Sequence, residues 1–228
     1  MKFKEFQKIP RLKRDCVISE KLDGSNASVC IFSLESIKKE FAIIEQMYEW
    51  IEQFCLYIHP ENPHVEEKDK LYLFAGSRNR WLQIGKQSDN HGFASWVKEN
   101  SEELFNLGEG IHYGEWVGQG INRNYGLKEK RFYLFNTGRW ADFNNPPMQI
   151  EGDKRIYAPK CCYVVPVLYI GAFTTDIVDK TIATLKEHGS YAVPFMNPEG
   201  VVIYLTASRQ LYKQTIENDE KPKGQKDG

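Results

Sequence analysis

The chain has 228 residues, 41% of them hydrophobic and 27% charged, with a formal net charge of -1. This is ordinary globular composition with enough chain for one well-filled core, and it excludes a uniformly basic nucleic-acid-coating protein, so any phosphate-binding surface is local. The cysteines are Cys16, Cys30, Cys55, Cys161 and Cys162; an odd count without a C-x-x-C pair argues against a disulfide framework or a structural zinc site and for a reducing, cytoplasmic setting.

No apolar run approaches the length of a membrane span, and the N-terminus lacks the apolar core of a signal peptide. Before Asp15 lie Lys2, Lys4, Lys8, Arg11, Lys13 and Arg14, read either as a solvated arm or as a phosphate-contacting one. "CVISEKL" and "ASVCIF" are strand-like, and "DGSN" between them supplies turn residues, so the two are expected as a hairpin-like unit. Leu34, Ile37, Phe41, Ile44, Tyr48, Ile51 and Cys55 recur every three or four positions, which predicts one amphipathic helix to about Ile58. "HPENPHVEEKDK" is a polar loop and "LYLFAGS" a strand. "GFASWVKENSEELFNLG" predicts a second helix, starting near Asp89 or Asn90 and stopping at Gly108.

"GIHYGEWVG" and "RFYLFNTGRW" are strand-rich, and "CCYVVPVLYIG" is one strand or a pair around Pro166. "TTDIVDKTIATLKEHG" predicts a third helix, capped by Thr174 or Thr175 and ended by Gly189. "EGVVIYLT" and "LYKQTIE" close the fold, and 217–228 reads as a disordered tail. No repeat or linker divides residues 1–216, which are expected to form one domain.

The chemistry starts at Lys21. A lysine at a strand end beside a tight turn is rigid enough to be aimed, and neighbouring cations and burial can free its lone pair. Strand alternation puts Lys21 and Glu20 on opposite sides. Taken alone, K-x-D-G reads as a solvated turn. Further on, Arg78 and Arg80 follow a strand, where arginine suits phosphate or carboxylate recognition and surface solvation is the bland alternative. Glu115 is a carboxylate in an aromatic strand, expensive unless it meets a hydroxyl, a cation or a metal. "FYLFN" offers aromatics on both strand faces, for core packing or for stacking on a base. Glu199 stands at the mouth of a buried strand, where it can hold a divalent ion, and Lys213 lies on the last strand.

"EKLDGSN", "SRNRW", "YGEWVGQGI", "FYLFN", "EGVVIY" and "LYK" occur in the order seen in the covalent nucleotidyltransferases, the superfamily of ATP-dependent polynucleotide ligases and mRNA capping guanylyltransferases. The chain most closely resembles the RNA ligase branch, which includes small phage-type RNA ligases; "IPRLKRDCVISEKLDGSNASV" and "DNHGFASWV" look like that branch in particular. The resemblance runs from about Ile9 to Lys213. It implies an α+β nucleotidyltransferase (ATP-grasp-like ligase adenylation) fold of antiparallel sheets with flanking helices. It also implies ATP with Mg2+ or Mn2+, and RNA strand ends or a nicked duplex as the partner. A minimal DNA ligase, a capping guanylyltransferase and a non-catalytic nucleotide- or RNA-binding relative are the alternatives.

By motif position, Lys21 is the AMP-accepting nucleophile, and Lys213 contacts the α-phosphate and lowers the pKa of Lys21. Glu20, Asp23, Gly24, Asn26, Arg78, Glu115, Phe135 and Glu199 are expected at the nucleotide. Glu115 would take the ribose. Phe135 would stack on adenine, with Phe132 on the opposite strand face as the alternative. Glu199 would hold the metal. Arg80, Arg123, Lys128, Lys130 and Arg131, with the basic arm, would contact the strand. Three features depart from the family. The last motif is commonly K-x-K but reads Lys213-Gln214-Thr215 here, with Lys221 and Lys223 nearby. The segment 34–70 is long and reads as a helical insertion. Little chain follows Lys213, so a nucleotidyltransferase core alone is expected.

Overall fold

Apolar and β-branched residues in "DCVISEK" and "SNASVCIFS" form the first two strands of a computed structural model of the chain, β1 (Asp15–Lys21) and β2 (Ser25–Ser33). The structure describes residues 6, 9, 14–60, 64–146 and 154–217. The expected basic arm, apart from Arg14, and the expected tail from 218 on, with Lys221 and Lys223, lie outside the described residues. After β2 come α1 (Leu34–Lys38), α2 (Ile44–Phe54), β3 (Tyr57–His59), β4 (Leu71–Ser77), α3 (Phe93–Glu99), α4 (Ser101–Leu104) and β5 (Gly110–Gly118). Then follow β6 (Lys130–Leu134), β7 (Trp140–Ala141), β8 (Ile156–Tyr157), β9 (Cys162–Val164), β10 (Val167–Ala172), α5 (Thr175–His188), β11 (Gly200–Leu205) and β12 (Gln210–Thr215). The architecture is α+β with mainly antiparallel sheets; β6–β9 and β7–β8 are parallel pairs. Among the described residues, no helix is long and apolar enough to cross a membrane.

The chain divides into two compact units, Met1–Leu22 with Val165–Gly228, and Asp23–Val164. The first unit holds a four-stranded sheet in the order β10-β1-β11-β12. Its core is one face of that sheet, Cys16, Ile18, Val201, Ile203 and Leu205, packed against Val178, Ile182 and Leu185 of α5. The α5 helix starts as its sequence dictates: the Thr174 hydroxyl accepts from the Ile177 N–H at 3.1 Å, and Gly189 follows its last residue.

The second unit holds a six-stranded sheet in the order β3-β4-β2-β5-β6-β9. One face, with Val29, Ile31, Trp116, Phe132 and Leu134, buries Phe93, Val97 and Leu104 of α3 and α4. The opposite face of β2 and β4 carries Cys30, Tyr72 and Phe74 under α1 and α2.

Two expectations are corrected here. The turn residues of "DGSN" predict a hairpin, but β1 pairs with β10 and β11, whereas β2 pairs with β4 and β5. Both edges of each strand are occupied, so the "LDG" link carries the chain from one sheet to another. Gly24 is required there, since a Cβ would lie 2.3 Å from the Trp116 carbonyl oxygen. The single helix expected to Ile58 is also two helices followed by a strand. A continuous helix over that span would be roughly 37 Å long, longer than the strands beneath it. The break lets each short helix bury its own stripe, Leu34 and Ile37 on α1, Met47 and Ile51 on α2. Ile44 and Tyr48, inward by periodicity, are 63% and 50% exposed.

In the first unit, Lys21 lies directly opposite Gly200, and Gly200 opposite Thr215. A Cβ at Gly200 would meet the Gln214 carbonyl oxygen at 2.2 Å. Gly200→Ala is therefore expected to destabilise the fold by about 1–3 kcal/mol, as overpacking does. Denaturant titration checks this, and an unchanged midpoint would show that the β11–β12 pair yields without cost.

Candidate active site

Lys21 is the last residue of β1, with its side chain 17% exposed, and its Nζ donates to Glu199 Oε2 at 2.5 Å. Glu199 is buried immediately before β11, and its backbone carbonyl accepts from the Ile216 N–H at 2.9 Å. The candidate nucleophile and the candidate metal-holding carboxylate are thus one ion pair.

Lys213 is not in that pair. It is exposed on β12 opposite Val202, which stands opposite Ser19. Lys213 therefore shares the sheet face of Lys21 but sits two strands over, roughly 10 Å across and 7 Å along. The position facing Gly200, closer in register to Lys21, belongs to Thr215, at the place of the second lysine in K-x-K. The group at hydrogen-bond distance from Lys21 is the Glu199 carboxylate.

Glu20 faces the other way, as alternation demands. It is 1% exposed, and its Oε2 accepts from the backbone N–H groups of Tyr191 at 2.8 Å and Ala192 at 3.2 Å. Its Oε1 is buried without a hydrogen-bond partner. Burial pushes this carboxyl above its ordinary value, against the lowering influence of the Ser190 side chain and the two N–H groups. The structure thus packs the Glu20 side chain against a loop of its own unit, on the face of β1 opposite Lys21.

The second unit assembles the rest of the first motif. The Gly24 N–H donates to Glu115 Oε1 at 3.0 Å, and Asn26 pairs in register with Glu115 across β2 and β5. Glu115 points away from the core because its neighbours Gly114 and Trp116 take the packed face. The two phenylalanines of "FYLFN" separate in the same way. Phe132 is 0% exposed in the core, while Phe135 is 41% exposed and its N–H donates to the Tyr113 carbonyl at 3.0 Å. Arg78 and Arg80 are both exposed on the turn that closes β4, where the Ser77 N–H donates to the Arg80 carbonyl at 2.9 Å.

The expected strand contacts divide. Lys128 is exposed, as Arg80 is. Arg131 donates through Nε and Nη2 to Glu129 Oε1 and lies 4.7 Å from the Tyr163 ring centre. Lys130 donates to the His91 carbonyl at 2.6 Å. Arg123 donates to Asp23 Oδ2 at 3.2 Å, next to the first motif. Asn122 and Tyr125, which also bind Asp23, are functional candidates that the motif reading passed over. The signal was the glycine- and asparagine-rich "GQGINRNYG", a marked turn sequence after the Glu115 strand. Among the described residues, no three His, Cys, Asp or Glu side chains cluster to hold a metal.

The RNA ligase family model matches residues 14–218. The chain belongs to the RNA ligase family. The match covers β1 to β12 and includes every candidate residue from Lys21 to Lys213. Among solved structures, a substituted Naegleria gruberi RNA ligase with ATP and Mn is 17% identical, with a TM-score of 0.49, over 90% of this chain and 50% of that one. A substituted apo form of the same ligase is 16% identical, with a TM-score of 0.48, over 89% of this chain and 49% of that one. This RNA ligase family member therefore spans about half the length of those solved chains. No curated protein matches it.

Glu20 gives a pH signature. Its folded pKa lies above the ordinary 4.5, so between the two values the folded state binds more protons than the unfolded one. Stability contributed at this site is then lost as pH rises from about 4.5 through the raised value. Glu20→Gln removes the titration and keeps an oxygen for the two N–H groups. The variant should gain on the wild type as pH rises across that window, read as paired denaturation curves. A difference that stays flat with pH would contradict the assignment.

Proposed function

We propose that the chain is an ATP-dependent RNA ligase, joining a 3′-hydroxyl to a 5′-phosphate through a covalent lysyl-AMP. The observation that carries this reading is the Lys21–Glu199 contact at 2.5 Å, within a chain of the RNA ligase family. An ammonium cannot attack phosphorus, and Glu199 Oε2 is within reach to take its proton. The freed Nζ attacks the α-phosphorus of ATP. A P–N bond forms, the bond to the bridging oxygen breaks, and pyrophosphate leaves. The AMP then moves to a 5′-phosphate oxygen, breaking the P–N bond and returning Lys21. Attack by the 3′-hydroxyl on that phosphate expels AMP and seals the strand.

The other residues take roles that suit their chemistry. Glu115 and Asn26 bind the ribose side of the nucleotide, and exposed Phe135 offers a ring for adenine. Arg78 serves the nucleotide or the 5′-phosphate, Lys213 the α-phosphate, and Arg80 and Lys128 the strand backbone. The donor set fits a divalent ion carried in with ATP rather than a resident one, since among the described residues one buried carboxylate, Glu199, pairs with Lys21. Mg2+ is commonly held by one or two carboxylates together with substrate phosphates. When bound, Mg2+ or Mn2+ would neutralise charge on the phosphates.

Incubation with α-labelled ATP and magnesium, followed by denaturing electrophoresis, tests the first step. The wild-type chain is expected to take label, and Lys21→Ala to fall to background. Glu199→Gln should slow labelling by about a hundredfold, the usual scale for loss of a proton acceptor. Label that survives in Lys21→Ala would sink the mechanism. Nicked duplexes with RNA or DNA on each side of the break then separate RNA ligation from DNA ligation.

A further inference from the structure

The loop after the Glu115 strand closes on Asp23. Asn122 Nδ2 donates to Asp23 Oδ1 at 3.0 Å and to the Gly24 carbonyl at 2.5 Å. Arg123 Nε donates to Asp23 Oδ2 at 3.2 Å. The Tyr125 hydroxyl accepts from the Asp23 N–H at 2.9 Å. Both carboxylate oxygens and the backbone N–H of Asp23 are therefore engaged by one short stretch of chain. That stretch adopts a costly backbone to do so: Asn122, Asn124 and Tyr125 have φ of 37°, 48° and 54°. Asparagine tolerates the left-handed region, but a buried tyrosine there is uncommon and persists only where the surroundings enforce it.

A surface loop meant to offer Arg123 to a phosphate backbone has no need of this arrangement. An arginine committed to a partly buried aspartate has its charge opposed and one donor used. Its side chain is 20% exposed and that of Asp23 27%. The Asp23 carboxylate, in turn, can point only where Asn122 and Arg123 allow.

We infer that Asn122 and Arg123 are positioning residues of the adenylylation step, acting through Asp23, rather than contacts for the RNA strand. This rests on the ligase reading above. It assigns the "GINRNYG" loop to the first motif, almost a hundred residues upstream, and removes Arg123 from the strand-binding surface.

The test is single-turnover transfer of label from saturating ATP, with affinity for a nicked RNA duplex measured at several salt concentrations. Arg123→Ala and Asn122→Ala should each lower the rate constant about tenfold, the scale of a hydrogen bond to a charged group. The fraction finally labelled should stay at the wild-type level, because a purely structural defect lowers that fraction rather than the rate. Arg123→Lys should recover part of the rate. In an Asp23→Asn background, Arg123→Ala should add little, since residues acting through one group are not additive. RNA affinity and its salt slope should not move.

An unchanged rate constant in both variants overturns the inference, as does a loss confined to the labelled fraction or full additivity with Asp23→Asn. Weaker RNA binding with a shallower salt slope in Arg123→Ala would return that residue to the strand. A wild-type chain that takes no label overturns the ligase reading and this inference together, whereas label in the wild type with unaffected variants overturns only the inference.

Discussion

Lys21 and Glu199 are 178 residues apart in the chain, and an antiparallel register brings them within 2.5 Å. The pairing of β1 with β11 sets Lys21 opposite Gly200, so the residue just before Gly200 arrives beside the lysine amine. Everything in the first unit serves that register. The face of β1 opposite Lys21 is anchored by Cys16 and Ile18 on α5. A one-residue slip would turn Lys21 inward and Glu20 outward, exchanging a paired ammonium for an unpaired one in the core. The register is thus held by burial on one face and by charge on the other.

The second unit uses the same alternation for a different end. In "YGEW" the core takes Trp116 and the open face takes Glu115, and in "FYLF" the core takes Phe132 and Leu134 while Phe135 stays exposed. The glycine between Tyr113 and Glu115 is forced by this packing. A Cβ at Gly114 would meet the Tyr133 carbonyl oxygen at 2.4 Å and the Phe132 ring at 2.5 Å. Residues that pack and residues that meet solvent or ligand therefore alternate along single strands, and the core decides where the chemistry faces.

That period-2 logic is what made much of the site legible in the sequence. Strands around Lys21, Glu115 and Phe135, the third helix with its Thr174 cap, and the opposed faces of Glu20 and Lys21 all follow from local pattern. The misreadings concern partners distant in sequence. "DGSN" has the chemistry of a hairpin turn, and nothing local reveals that both edges of β1 and β2 are already taken. The helical period from Leu34 to Cys55 is real, but the sheet beneath is too short for one rod, and Met47 displaces Tyr48 from the buried stripe. Lys213 lies on the expected last strand, yet its distance from Lys21 depends on strand order. The Arg123–Asp23 contact is likewise invisible to local pattern, because the two residues lie 100 positions apart.

Strand order also gives the segment 34–54 a physical role beside the arginine turn. Trp50 stacks on Phe74 of β4, with ring centres 4.5 Å apart, and meets Trp81 edge-on at 5.2 Å. Phe32 and Phe74 pack on Trp81 from the strands, at 6.5 and 5.9 Å. Trp81 in turn bridges back to Gly76, and the Leu82 N–H donates to the Ala75 carbonyl at 2.9 Å. The turn carrying Arg78 and Arg80 is therefore pinned at both ends, by β4 on one side and on the other by a partly buried tryptophan packed against Trp50 of α2 and the strand phenylalanines. Two exposed arginines on an unanchored loop would pay the full entropy of ordering whenever they met a phosphate. Here the aromatic cluster has ordered the backbone beforehand, so only the side chains remain to be fixed, and α2 acts on the turn through Trp50 and Trp81.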